Sequence, residues 1–256
     1  MPADGATGVT IALLYPELLG TYGDGGNAAV LAQRLRWRGI AADEIDVTAG
    51  EKVPSSCEIY LMGGGEDGPQ SLAARELRAS RALDRAVAAG AAVLAVCAGY
   101  QLLGEAFLGP DGSPHAGLGL LDCRTSRGSG PRRVGELLVE PEASLELPPL
   151  TGYENHAGVT ALGDDARPLG YVLAGHGNDS GDGTEGAVCG RVVGTYLHGP
   201  VLARNPDLAD RILSWVVGPL EPLAAEEVTA LRNERMAAAR RTLPLGAPRS
   251  WWRHRR

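Results

Sequence analysis

The chain has 256 residues, 44% of them apolar, and a net charge of −7 at pH 7. That is ample material for a core, and the acidic balance argues against a nucleic-acid partner. No window approaches 18 uninterrupted apolar residues, and MPADGATGVT lacks the basic-then-apolar layout of a secretory signal, so a cytoplasmic chain is expected.

In chain order, VTIALLY (9–15) reads as the first strand. Tyr22-Gly23-Asp24-Gly25-Gly26-Asn27 is turn chemistry, able to form a rim turn or a partner contact. NAAVLAQRLRWRG places Val30, Leu31, Leu35 and Trp37 near helical spacing, with Gly39 as a stop. Ile45–Val47 and CEIYLM (57–62) follow as strands, the second ending in GGGEDG. Residues 70–89 read as one long helix, 91–96 as the next strand and 100–107 as the next helix.

The second half changes character. Short strand candidates at 134–140, 150–153, 170–174, 186–189 and 191–197 are separated by turns. His198-Gly199-Pro200 follows the last of them. Helices are expected near 205–217 and 222–240. Alternation followed by short strands predicts one α/β domain with a mostly parallel central sheet and an antiparallel extension. The boundary falls at 1–217, with 218–256 as a C-terminal helix and tail. From Arg232 onward there are eight Arg and one acid, Glu234, which leaves 16 basic and 30 acidic residues, or −14, on the rest. That basic tail, ending Ser250-Trp251-Trp252-Arg253-His254-Arg255-Arg256, is a candidate docking or membrane-surface element, or else a solvated end.

Cys57, Cys97, Cys123 and Cys189 are widely spaced, with no C-x-x-C or Cys/His cluster. Neither a structural metal site nor a disulfide framework is expected. Cys97 stands apart because AAVLAV runs straight into it and Ala98-Gly99 opens a helix. A thiol at a helix start feels unpaired N–H groups and the positive dipole end, both of which favour thiolate. It could still be a small core residue. Ligands of such sheets bind beyond the carboxyl ends of strands. Gly63-Gly64-Gly65 and His198 also follow apolar strands, so all three can share one rim. His198 would be the base, or a hydrogen-bonded structural histidine. The glycine loop, through Gly64 and Gly65, and the Ala98 N–H could hold an oxyanion. Without a P-loop lysine, the glycines do not argue for nucleotide.

C-A-G-Y-Q-L-L-G resembles the nucleophile elbow of class I glutamine amidotransferases, in the form of the cobyric acid synthase-type branch. LYPELLGTYGDGGNAAVLAQRLRWRGI, LMGGGEDGPQ, TGYENHAGVT and GTYLHGPVLARNPDLAD are together similar to the glutaminase subunits of lipid II isoglutaminyl synthases, over about residues 9–215. The resemblance implies a flavodoxin-like α/β fold. It also implies hydrolysis of L-glutamine by Cys97 and His198, and transfer of ammonia to a Mur-ligase-like synthetase in a heterodimer. The partner would use ATP and Mg²⁺ to amidate the D-glutamate of the lipid II stem peptide in peptidoglycan biosynthesis, and no cofactor is expected on this chain. By motif, Arg132 in PRRVGELLVE matches the substrate-contacting arginine, with Arg133 one register away. Tyr100, Gln101, Asn155 and His156 are candidates to line the site. Another cobyric acid-type amidotransferase and an inactive scaffold are the alternatives.

Two departures matter. Many class I relatives have a glutamate two residues after the histidine, where this chain has Pro200. A carboxylate from the partner, arriving on docking, is the expected substitute. Ala98 stands where relatives often have glycine.

Overall fold

The computed structural model describes residues 8–20, 23–223 and 226–241. Tyr22 of the first turn and the tail from residue 242 lie outside the described residues. The first half alternates: β1 (Val9–Leu14), α1 (Pro16–Leu19), α2 (Gly26–Arg36), β2 (Ala42–Val47), β3 (Ile59–Met62), α3 (Asp67–Ser80), α4 (Ala82–Ala88), β4 (Ala92–Val96) and α5 (Ala98–Leu103). The second half is strand-rich: β5 (Ala106–Leu108), β6 (Pro114–Ala116), β7 (Cys123–Arg127), β8 (Arg133–Pro141), β9 (Leu150–His156), β10 (Gly158–Leu162), β11 (Gly170–Ala174), β12 (Thr184–Glu185), β13 (Ala187–Cys189) and β14 (Val192–Thr195). Helices α6 (Val201–Arg204), α7 (Pro206–Val217) and α8 (Glu226–Arg241) close it.

The central sheet has six strands in the order β13-β14-β4-β3-β1-β2, all parallel except β13. Every residue of β3 and β4 is buried, as uninterrupted apolar runs covered on both faces should be. At the edge, β2 (ADEIDV) leaves most of its side chains at least partly exposed. The α2 residues Ala28, Leu31, Ala32 and Leu35 follow the period of one helix face and are buried. Arg34 and Arg38 of the α2 segment both reach Asp210 of α7, at 2.6 and 2.8 Å.

The strands of the second half do more than extend this sheet, and outside it they pair antiparallel except β5 with β7. They form two four-stranded sheets, β10-β7-β5-β6 and β12-β11-β8-β9. On the second of these, Leu138 and Ala174 pack with Met236 of α8.

Two helical expectations change. The run 70–89 is two helices, because Arg81 turns left-handed at φ +50° and ends α3. No glycine or proline marks that break. The helix expected at 100–107 stops at Leu103, and Ala106–Leu108 pairs as a strand with β6. Among the described residues, no helix is long and apolar enough to cross a membrane.

Candidate active site

Parallel pairing of β1, β3, β4 and β14 sends their carboxyl ends to one rim. β4 delivers Cys97, the loop after β3 delivers Gly63–Gly65, and β14 leads to His198. Cys97 has φ +53° and ψ −109°, a combination that costs a non-glycine residue about 1–3 kcal/mol. The surroundings hold it there. Its N–H donates to Thr195 O at 2.8 Å, and the N–H of Gly99 donates to Gly63 O at 3.1 Å. Thr195 is itself clasped by buried Glu185, which accepts the Thr195 hydroxyl at 2.5 Å and the Tyr196 N–H at 2.9 Å. Burial raises the Glu185 carboxyl pKa, and these bonds oppose the shift. A sharp strand-to-helix turn with a strained nucleophile candidate at its tip is the geometry of an elbow.

His198 is buried, and its ring Nδ1 lies 3.2 Å from Asp24 Oδ2. Burial alone lowers its pKa, but hydrogen bonds to Asp24 and to Cys97 outweigh it and raise the imidazole to about 10. Within this chain, the carboxylate that faces His198 is therefore Asp24. Pro200 cannot serve, but the turn after β1 passes the same rim and brings Asp24 across 174 positions. Asn27, at the start of α2, accepts the Leu202 N–H at 3.0 Å, so the segment after His198 is gripped at a second point. It is a tight fit, since a Cβ at Gly63 would come within 2.2 Å of Leu19 O.

Asp24 Oδ2 also accepts the Gly64 N–H at 3.0 Å, so that amide is engaged rather than turned to a substrate. Gly65 and Ala98 line the cleft beside Cys97. Ala98 opens α5, so its N–H has no carbonyl within the helix to donate to.

The same cleft is lined by Gln70, Gln101, Thr125, Arg132 and His156. Arg132 Nε donates to Asn155 Oδ1 at 2.5 Å and Nη2 to Asn155 O at 3.0 Å. Its neighbour Arg133 turns away to Asp179 at 2.8 Å, so the cleft takes Arg132 and not Arg133. The Asn155 carbonyl lies 3.9 Å from Cys97 Sγ. His156 stacks on Tyr196 with ring centroids 3.8 Å apart. Tyr100 does not join them, which corrects its place among the candidates. It is fully buried, lies over Gly194 and hydrogen-bonds to Asn178 at 3.2 Å, because position 100 of so short a helix faces β14.

Sequence reasoning missed Gln70, whose amide donates to Ala98 O at 3.2 Å and Gln101 Oε1 at 2.9 Å. Gln101 continues to the Tyr196 hydroxyl at 3.1 Å. The signal was present in LMGGGEDGPQ, where Gln70 follows the glycine loop at the rim. Among the described residues, no group of three or more His, Cys, Asp or Glu could hold a metal ion.

Known proteins resemble this chain over most of its length. A lipid II isoglutaminyl synthase (glutamine-hydrolyzing) subunit GatD from Staphylococcus aureus is 35% identical over 207 residues, covering 80% of this chain and 83% of that protein. The subunit of the same name from Streptococcus pneumoniae is 35% identical over 209 residues, covering 80% and 79%. A crystal structure of a glutamine amidotransferase shares the fold, with a TM-score of 0.56 and 23% identity over 82% of this chain and 99% of that one. The CobB/CobQ-like glutamine amidotransferase domain matches residues 10–206, and the chain belongs to that family.

Proposed function

We propose that this chain is the glutaminase subunit of a lipid II isoglutaminyl synthase. It hydrolyses L-glutamine at Cys97 and passes ammonia to a Mur-ligase-like partner. The observation that carries the reading is the line Cys97–His198–Asp24 at the sheet rim, with His198 held toward its protonated form. Relatives that carry the isoglutaminyl synthase name support the choice of pathway.

In this mechanism the Cys97 thiolate attacks the side-chain amide carbon of glutamine. The N–H groups of Ala98 and Gly65 receive the oxyanion. His198 gives its proton to the leaving nitrogen, ammonia departs, and a Cys97 thioester remains. Water then attacks the thioester and gives a proton to His198. Glutamate leaves and the thiolate–imidazolium pair is restored. Asp24 fixes the imidazole tautomer and orientation throughout. Arg132 pairs with the substrate α-carboxylate.

ATP and Mg²⁺ act on the partner, which amidates the D-glutamate of the stem peptide. The reaction belongs at the cytoplasmic face of the membrane, where the basic C-terminal tail meets anionic headgroups. Glutamate release by wild type and Cys97→Ala, alone and with the synthetase, tests the core of the reading. Equal release by both chains, or none from wild type in the complex, would sink it. Vesicle binding by full-length and tail-deleted chains tests the membrane contact.

A further inference from the structure

Glu154, Asn155 and His156 close strand β9, and they alternate in and out. The outer residue touches two parts of the site at once. Its side-chain oxygen and its carbonyl hold the Arg132 guanidinium, and the same carbonyl faces Cys97 Sγ at 3.9 Å. The two inner residues are each 1% exposed. Glu154 accepts the His176 N–H at 2.9 Å and the Gly177 N–H at 3.0 Å. His156 Nδ1 donates to Gly158 O at 2.9 Å, Nε2 faces Glu154 at 3.4 Å, and the ring is stacked on Tyr196. The strand end therefore has little freedom to rotate, and Asn155 is a fixed reference point.

We propose that Asn155 is a positioning residue that sets the distance between the nucleophile and the guanidinium, and so selects the length of the substrate. The inference rests on the glutaminase reading above. An arginine on a flexible stem loses entropy when it captures a carboxylate, and prior anchoring removes part of that loss. Asn155 uses Nε and one Nη2 hydrogen, which fixes the guanidinium plane. With both the thiol and the guanidinium referenced to one residue, an α-amino acid amide fits at one chain length.

The test uses the full chain with its synthetase and two variants. Asn155→Ala keeps the backbone carbonyl near Cys97 and removes only the side-chain anchor. Asn155→Asp keeps the shape but places a carboxylate on Arg132. For Asn155→Ala, the glutamine KM is expected to rise about ten-fold with kcat changed far less, as for one lost charge-assisted contact. The preference for glutamine over asparagine is expected to fall, and Asn155→Asp to show a larger KM increase. Calorimetric binding of L-glutamate is expected to weaken in parallel, and it needs no turnover. An unchanged KM and glutamate affinity in both variants would overturn the inference while leaving the glutaminase reading intact. A loss of kcat that merely tracks a lower melting temperature would also overturn it. Weakened glutamate binding in a chain that releases no ammonia would uphold the positioning role and discard the glutaminase reading.

Discussion

Asp24 Oδ2 lies 3.2 Å from His198 Nδ1 and 3.0 Å from the Gly64 N–H, so one carboxylate oxygen joins the imidazole to the glycine loop. Asp24→Asn keeps the shape but can present its amide N–H to the ring and hold the wrong tautomer. It is expected to lower kcat for glutamine hydrolysis by about 10²–10⁴, with KM little changed. Steady-state kinetics of glutamate release check this.

The same contact predicts a pH dependence of stability. The folded-state pKa of His198 is raised, to about 10, above the unfolded value near 6.5. The stabilisation is therefore fully present below about pH 6.5 and is lost as pH rises through about 10. The melting-temperature gap between wild type and His198→Gln should be widest at the acid end of this window and narrow toward pH 10. A gap that widens with pH would contradict the assignment.

Strain at Cys97 gives a stability prediction separate from chemistry. Both Cys97→Ala and Cys97→Gly remove the thiol, and both should abolish glutamine-dependent amidation while sparing the partner's ammonia-dependent reaction. Only glycine accepts φ +53° with ψ −109° without cost. Cys97→Gly is expected to be more stable than Cys97→Ala by about 1 kcal/mol in denaturant unfolding.

Tyr100→Phe separates core from site. The hydroxyl bonds Asn178 inside the protein, 3.2 Å away, and does not reach the cleft. Loss of about 1 kcal/mol of stability is expected with an unchanged glutamine KM. A raised KM with normal stability would return Tyr100 to the substrate wall.

Asp210 holds two arginines whose side chains are only 7% and 8% exposed, Arg34 and Arg38. Burial raises its carboxyl pKa, but the bonds from the two guanidiniums overcome this and hold it below the usual carboxylate range. Asp210→Ala leaves both buried cations unbalanced, and is expected to cost about 2–4 kcal/mol. The wild-type advantage should shrink as pH falls through the carboxylate range, measured by urea unfolding at pH 7 and at acid pH.

Local pattern made much of the fold legible. β3 and β4 stand out as short apolar runs, because strands covered on both faces need them. The elbow at Cys97 was legible for the same reason, since a strand that ends in Cys-Ala-Gly leaves few other geometries. The break at Arg81 was not, because its left-handed backbone is held by tertiary packing and has no glycine to announce it. Tyr100 was ambiguous, since a tyrosine beside a nucleophile can face either the core or the cleft.

By itself, the sequence determined the strand–helix alternation, the rim positions of Cys97, Gly63–Gly65 and His198, and through its motifs the family. Tertiary structure alone decided that Asp24 orients His198, that Gly64 is engaged by Asp24, and that Arg132 rather than Arg133 enters the cleft. The reason is physical. Apolar periodicity is a local property of the chain, whereas a hydrogen bond across 174 positions depends on where the sheet order brings two loops together.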